Sequence, residues 1–144
     1  GSHEACNYNF VSDFPFVEPA RHIARLSSEG GAPTYLYVFD YVTEARRHLA
    51  AGAGHATDVP FVFSSLRRVL EGITPADEAQ SGLMIDYWTN FARTDDPNGD
   101  TLPCWKPYMQ DSRALWFSHS GPVERVLNTR VLDVLEAAQA AAQT

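Results

Sequence analysis

One histidine is placed where an imidazole could work. His55 sits in the stretch Gly52-Ala53-Gly54-His55-Ala56-Thr57-Asp58-Val59-Pro60-Phe61-Val62-Phe63, flanked by two glycines and followed by an apolar run. Glycines at 52 and 54 are expected to adopt positive φ and to bring the ring to the lip of a sheet, where a general base could meet a substrate. Asp58, three residues on, is the nearest carboxylate; its expected role is to stabilise the loop by capping amides near Phe61 rather than to orient the imidazole. His22, His48 and His119 form no i, i+4 histidine pair and lack the ligand spacing of a metal site, so neither metal nor cofactor is expected. His3 follows Gly1-Ser2 and reads as part of a cut affinity tag.

The elements that must hold His55 can be read on either side of it. Pro19, Ala20, Ile23, Ala24 and Leu26, closed by Gly30-Gly31, predict a helix over 17–28. Tyr35 to Val42 is a continuous β-branched and aromatic run, which predicts a buried central strand. Its carboxyl end leads through 43–51, a mobile excursion or a helix, towards His55, and open α/β sheets bind ligands beyond the carboxyl ends of their strands. Thr74-Pro75-Ala76-Asp77 opens a helix with a hydroxyl cap, a proline in the first turn and an acid that can reach back. Ala79, Leu83, Met84, Tyr87, Trp88 and Phe91 are expected on its buried face, the aromatics as core rather than ligand contacts. Asp95-Asp96-Pro97-Asn98-Gly99 ends it, Asp95 being a residue that tolerates left-handed φ. Ala114-Leu115-Trp116-Phe117 reads as a short edge strand. From Asn128 onward a helix is expected to bury Val131, Val134, Leu135 and Ala138 and to cover the sheet edge.

Composition narrows the partners. The 144 residues carry 11 basic and 18 acidic side chains, a net charge of −7, with no basic cluster beyond pairs such as Arg46-Arg47, so nucleic acid is not an expected partner. No apolar run approaches the roughly 20 residues that span a bilayer and no signal-like segment opens the chain, so no membrane partner is expected either. With 44% apolar residues the chain is globular in class. Cys6 and Cys104 fit neither a zinc pattern nor a CxxC pair; a disulfide and two free thiols both stay open, and with them the compartment.

Four ordered motifs carry a resemblance: Tyr35-Leu36-Tyr37-Val38-Phe39-Asp40-Tyr41; the G-x-G-H-x-x-D-x-P-F-V-F stretch; Tyr87-Trp88-Thr89-Asn90-Phe91-Ala92-Arg93; and Asp96-Pro97-Asn98. Asp13-x-x-Phe16-x-x-Pro19 and Leu102-Pro103-Cys104-Trp105-Lys106-Pro107-Tyr108 add to it, with Asp95 standing where glycine is frequent and one proline a place later than usual. The chain thus resembles the C-terminal part of the type-B carboxylesterase and cholinesterase family. The resemblance implies an α/β class, the last sheet strands and covering helices of an α/β-hydrolase fold, incomplete alone. Residues 1–10 are then tag scar and lead-in, and 11–144 the C-terminal segment of a single domain.

An ester hydrolase of that fold uses a serine on a G-x-S-x-G elbow, then an acid, then a histidine, in that chain order. No G-x-S-x-G occurs here; Ser118-His119-Ser120-Gly121 lacks the leading glycine. By resemblance His55 is the catalytic histidine of a Ser-His-Glu/Asp triad whose serine and acid lie upstream. The expected partners are that upstream half, as a separate or missing chain, and a small carboxylic ester, with an acyl-enzyme intermediate. A non-catalytic cholinesterase-like interaction domain and a small self-contained α/β binding domain are the alternatives.

Overall fold

The structure, a computed structural model, describes residues 16–142 apart from 51, 110 and 128, and leaves the side chains of 139 and 142 undescribed. Asp13 and Cys6 therefore lie outside the described residues. The order of elements is α1 (Glu18–Glu29), β1 (Tyr37–Phe39), a 3-10 turn (Glu44–Arg46), α2 (Val59–Val62), α3 (Leu66–Val69), α4 (Pro75–Thr94), β2 (Arg113–Ser118), β3 (Gly121–Val126) and α5 (Thr129–Ala142). The chain divides into two compact units, 1–36 with 107–114 and 125–144, and 37–106 with 115–124.

In the first unit α1 packs on α5. Pro19 occupies the first turn of α1, where a missing N–H costs nothing, and Gly31, at φ 79°, turns the chain out after Glu29. Among the described side chains of α5, Leu132 and Leu135 are buried, whereas Val131, Val134 and Ala138 are exposed. The expected stripe is therefore rotated. A valine-rich run satisfies helical periodicity on more than one face, and the partner helix decides which face is covered. Arg21, itself buried, donates from Nη1 to Asp133 Oδ1 at 2.7 Å and from Nη2 to Glu136 Oε2 at 2.9 Å, so this helix pair is held by ionic as well as apolar contact.

The second unit is built on the sheet, in the order β1-β2-β3. β1 runs parallel to β2 with Tyr37, Val38 and Phe39 opposite Leu115, Trp116 and Phe117. Two residues, His119 and Ser120, join β2 to β3, a link short enough only for antiparallel neighbours. The roles expected of two strands are exchanged. Tyr35–Val42 yields only three strand residues, each half-buried and at the edge of this sheet, while β2 is the middle strand, with Ala114, Leu115, Phe117 and Ser118 buried. Apolar content does not distinguish middle from edge in so short a run, because an edge strand covered by aromatics reads the same way.

Aromatic rings fill the unit's core. Phe117 contacts Tyr37, Tyr87, Trp88 and Trp105 at centroid separations of 6.0, 5.7, 6.0 and 5.8 Å, mostly edge-on. Tyr87 and Met84 of α4 are fully buried. The buried face of α4 runs through Asp77, Gln80, Ser81, Met84 and Tyr87, so it includes three polar residues and leaves the expected Ala79 and Phe91 exposed. Ser81 earns its burial by donating to the Phe61 carbonyl at 2.6 Å. Past Asp95, left-handed at φ 59°, Asn98 accepts from the Trp105 amide at 2.6 Å and donates to the Trp105 carbonyl at 2.9 Å. That clamp fixes the loop which delivers the Trp105 ring.

Candidate functional site

The loop bearing His55 is built from local hydrogen bonds. The Gly54 carbonyl accepts from the Thr57 amide at 3.3 Å and from Thr57 Oγ1 at 2.7 Å, closing a turn over residues 54–57. Within it the left-handed residue is Ala56, at φ 60°, and not Gly54. A methyl at Gly54 would meet only Thr57 Cγ2 at 3.6 Å, so neither backbone nor space demands glycine there. The expected role of that glycine passes to the residue after the histidine, because the turn places its reversal one step past His55. His55 itself is exposed.

Both ends of the loop are tied down. Before it, Tyr41 and Glu44 are fastened to α4: the Tyr41 hydroxyl and the Glu44 amide donate to Asp77 Oδ1 at 3.0 and 3.1 Å. Asp77 Oδ2 also accepts from the Thr74 amide and hydroxyl at 2.8 and 2.7 Å, the reciprocal cap of α4. Burial alone would raise the Asp77 carboxyl, but these donors outweigh it and hold the group below the usual carboxylate range.

After the loop, Asp58 Oδ2 accepts from the Tyr37 hydroxyl at 2.6 Å. The expectation that the Asp58 side chain caps amides is thus corrected: no side-chain cap forms, and the Phe61 and Val62 amides use the Asp58 carbonyl instead. A tyrosine hydroxyl at the rim of β1 offers a shorter, charge-assisted bond than a backbone amide already provided for. Burial, then the Asp58 carboxylate, pushes the Tyr37 phenol well above its ordinary range, so it remains a donor at neutral pH. Phe61 completes the anchorage, fully buried with its ring 5.0 Å from Phe39 and 5.5 Å from Tyr41.

The geometry therefore presents an exposed imidazole on a short turn whose exits are pinned to a strand and to a capped helix. Such a base can reach a hydroxyl brought to it from outside the turn. Ser118 and Ser120 face each other at 3.0 Å between hydroxyl oxygens, and Ser118 also donates to the Gly121 carbonyl, which fits a hairpin turn better than a nucleophile. His119 lies 4.4 Å from the Tyr41 ring and its Nδ1 is 3.5 Å from Glu44 Oε1. His48 is exposed, and Cys104 is an exposed free thiol. Sequence reasoning missed Tyr37 and Ser81 as supports of the loop. Their signal was faint: polar-tipped residues on otherwise apolar faces.

Comparison with known proteins gives a consistent result. A family model described as the carboxylesterase family matches residues 4–134. Dog (Canis lupus familiaris) carboxylesterase 5A is 36% identical over 115 residues, 74% of this chain and 20% of the relative. Mouse (Mus musculus) pyrethroid hydrolase Ces2a is 34% identical over 126 residues, 85% of this chain and 22% of the relative. Among solved structures, the Geobacillus stearothermophilus carboxylesterase EST55 at pH 6.8 superposes with a TM-score of 0.68 at 29% identity, covering 93% of this chain and 30% of that one. The chain thus spans about a fifth of the length of the curated relatives it matches, and its three strands and helices are a piece of an α/β-hydrolase fold.

Proposed function

Since the chain belongs to the carboxylesterase family, we propose that it is the C-terminal segment of a carboxylic ester hydrolase and that His55 is the catalytic histidine. The observation that carries the reading is the exposed imidazole on a turn anchored through Tyr37–Asp58 on one side and Asp77 on the other. His55 takes the proton of a serine hydroxyl as that oxygen attacks the ester carbonyl, and returns it to the leaving alcohol when the acyl-enzyme forms. Water then repeats the cycle, with His55 as its base. The serine, the orienting acid and the oxyanion-hole amides come from the remainder of the enzyme, as preceding sequence or as a second chain. Asp58, engaged with Tyr37, supports the loop.

Hydrolysis of a chromogenic p-nitrophenyl ester tests this in two arms. The 144-residue chain alone should show no turnover above background. Reconstituted with the remainder of the enzyme it should turn over, and His55→Ala should abolish that activity while leaving assembly, measured by size-exclusion chromatography, unchanged. Robust hydrolysis by the isolated chain, or full activity of the reconstituted variant, removes His55 from this role.

A further inference from the structure

Away from His55, one carboxylate is left with an unmet need. Glu18, the first residue of α1, is fully buried, and among the described residues neither of its side-chain oxygens has a hydrogen-bond partner. Burial of an ionised carboxylate without a donor or counter-charge costs several kcal/mol by any measure of ion desolvation, about enough to remove it from most folds. One turn on, His22 stands on the same side of α1, and Glu136 of α5 faces both. A carboxylate oxygen of Glu18, a ring nitrogen of His22 and a carboxylate oxygen of Glu136 all lie within 4.8 Å of one another.

We propose that Glu18, His22 and Glu136 form a binding site for a divalent transition-metal cation, with Zn2+ as the fitting size and charge. Two donors at about 2.1 Å from a tetrahedral ion stand roughly 3.4 Å apart, and His22 Nδ1 is 3.5 Å from Glu136 Oε1. One imidazole and two carboxylates are a hard-to-borderline set that zinc accepts, with a fourth position left for water. Charge favours the ion. Among the described residues, Glu29, Asp133 and Glu136 pair with the two guanidinium groups of Arg21 and Arg25, and Glu18 pairs with neither.

The arginines define how the ion would enter. Arg21 holds Glu136 by Oε2 at 2.9 Å and can keep it there, orienting the carboxylate from behind. Arg25 is the competitor: its Nη2 donates to Glu136 Oε1 at 2.8 Å and lies 3.2 Å from His22 Nδ1, so it occupies the two donors the ion needs. Arg25 is a third exposed and can swing to Glu29, already 3.3 Å from its Nη1. The Glu18 carboxylate, in contrast, gains its first partner.

Titration of the metal-free chain with ZnCl2 at pH 7, followed by isothermal calorimetry, tests the site. One equivalent of Zn2+ should bind saturably. Glu18→Gln, which preserves shape, and His22→Gln, which keeps a polar side chain of good helix propensity, should each weaken it by at least about 10-fold, as even outer partners of a metal do. His48→Gln should bind like the wild type, and Arg25→Ala should bind more tightly, since the competing cation is gone. Far-ultraviolet circular dichroism verifies that each variant keeps its helices. Absence of saturable binding up to millimolar Zn2+, or wild-type affinity in either Glu18→Gln or His22→Gln, overturns the proposal.

Discussion

Substitution of Asp77 puts the anchorage of the His55 segment to a quantitative test. The carboxylate accepts from the Tyr41 hydroxyl, the Glu44 amide and the amide and hydroxyl of Thr74, all between 2.7 and 3.1 Å, and is wholly buried. Asp77→Ala strands three of these donors, the Thr74 hydroxyl being free to rotate; at about 1–1.5 kcal/mol for each, the loss is roughly 3–4 kcal/mol. Asp77→Asn retains the oxygen facing Tyr41 and Glu44 but sets an amide N–H against the Thr74 N–H, so about 2 kcal/mol is expected. Near 2–4 °C for each kcal/mol in a chain of this size, the alanine variant should melt roughly 10 °C lower.

The charge gives this prediction a pH signature. Because folding lowers the Asp77 pKa, the ionised group contributes stability that is fully present above the unfolded value of about 3.9 and is lost as pH falls through the folded value. Urea unfolding followed at 222 nm should therefore show a constant gap between wild type and Asp77→Asn from pH 7 to about 4, narrowing below that as the wild-type carboxyl takes up its proton. An alanine variant within about 0.5 kcal/mol of wild type, or a gap that persists unchanged in acid, would refute the reasoning.

Other perturbations probe the remaining supports. Tyr37→Phe removes the hydroxyl that donates to Asp58 and should cost about 1.5 kcal/mol in urea; in the reconstituted esterase it should lower kcat more than it raises KM, by loosening the histidine turn. Ala56→Gly relieves about 1–2 kcal/mol of left-handed strain and restores about 0.5–1 kcal/mol of unfolded-chain freedom, for a net gain near 0.5 kcal/mol by the same measurement. Asn98→Ala frees the Trp105 backbone from its clamp; a loss of about 2 kcal/mol and a red-shifted tryptophan emission are expected, and unchanged emission would contradict the placement of Trp105 in the core.

Much of the framework was legible without coordinates because its causes are local. The capping box at Thr74-Asp77, proline in the first turn of α1, and Asp95 as a left-handed helix terminator each depend on residues within a few positions, and all three are present. The family, too, was readable, since four motifs in fixed order carry it. What failed was orientation. Valines at 131 and 134 and the apolar run at 35–42 met the periodicity expected of buried faces, yet Leu132 and Leu135 pack in α5, and β2 takes the centre of the sheet.

By itself the sequence determined where the helix at 18–29 lies and where the helix at 75–94 starts and stops, and that an imidazole rides on a loop between a strand and an apolar run, because backbone propensity and capping act over one helical turn; the two short helices at 59–62 and 66–69 were not read from it. Only the tertiary structure decided that Tyr37 grips Asp58, that Ala56 rather than Gly54 takes the left-handed φ, and that Glu18 and Glu136, 118 residues apart in number, meet at His22. Those juxtapositions arise from elements packing across long loops, and no spacing along the chain encodes which of several chemically equivalent faces will be brought together.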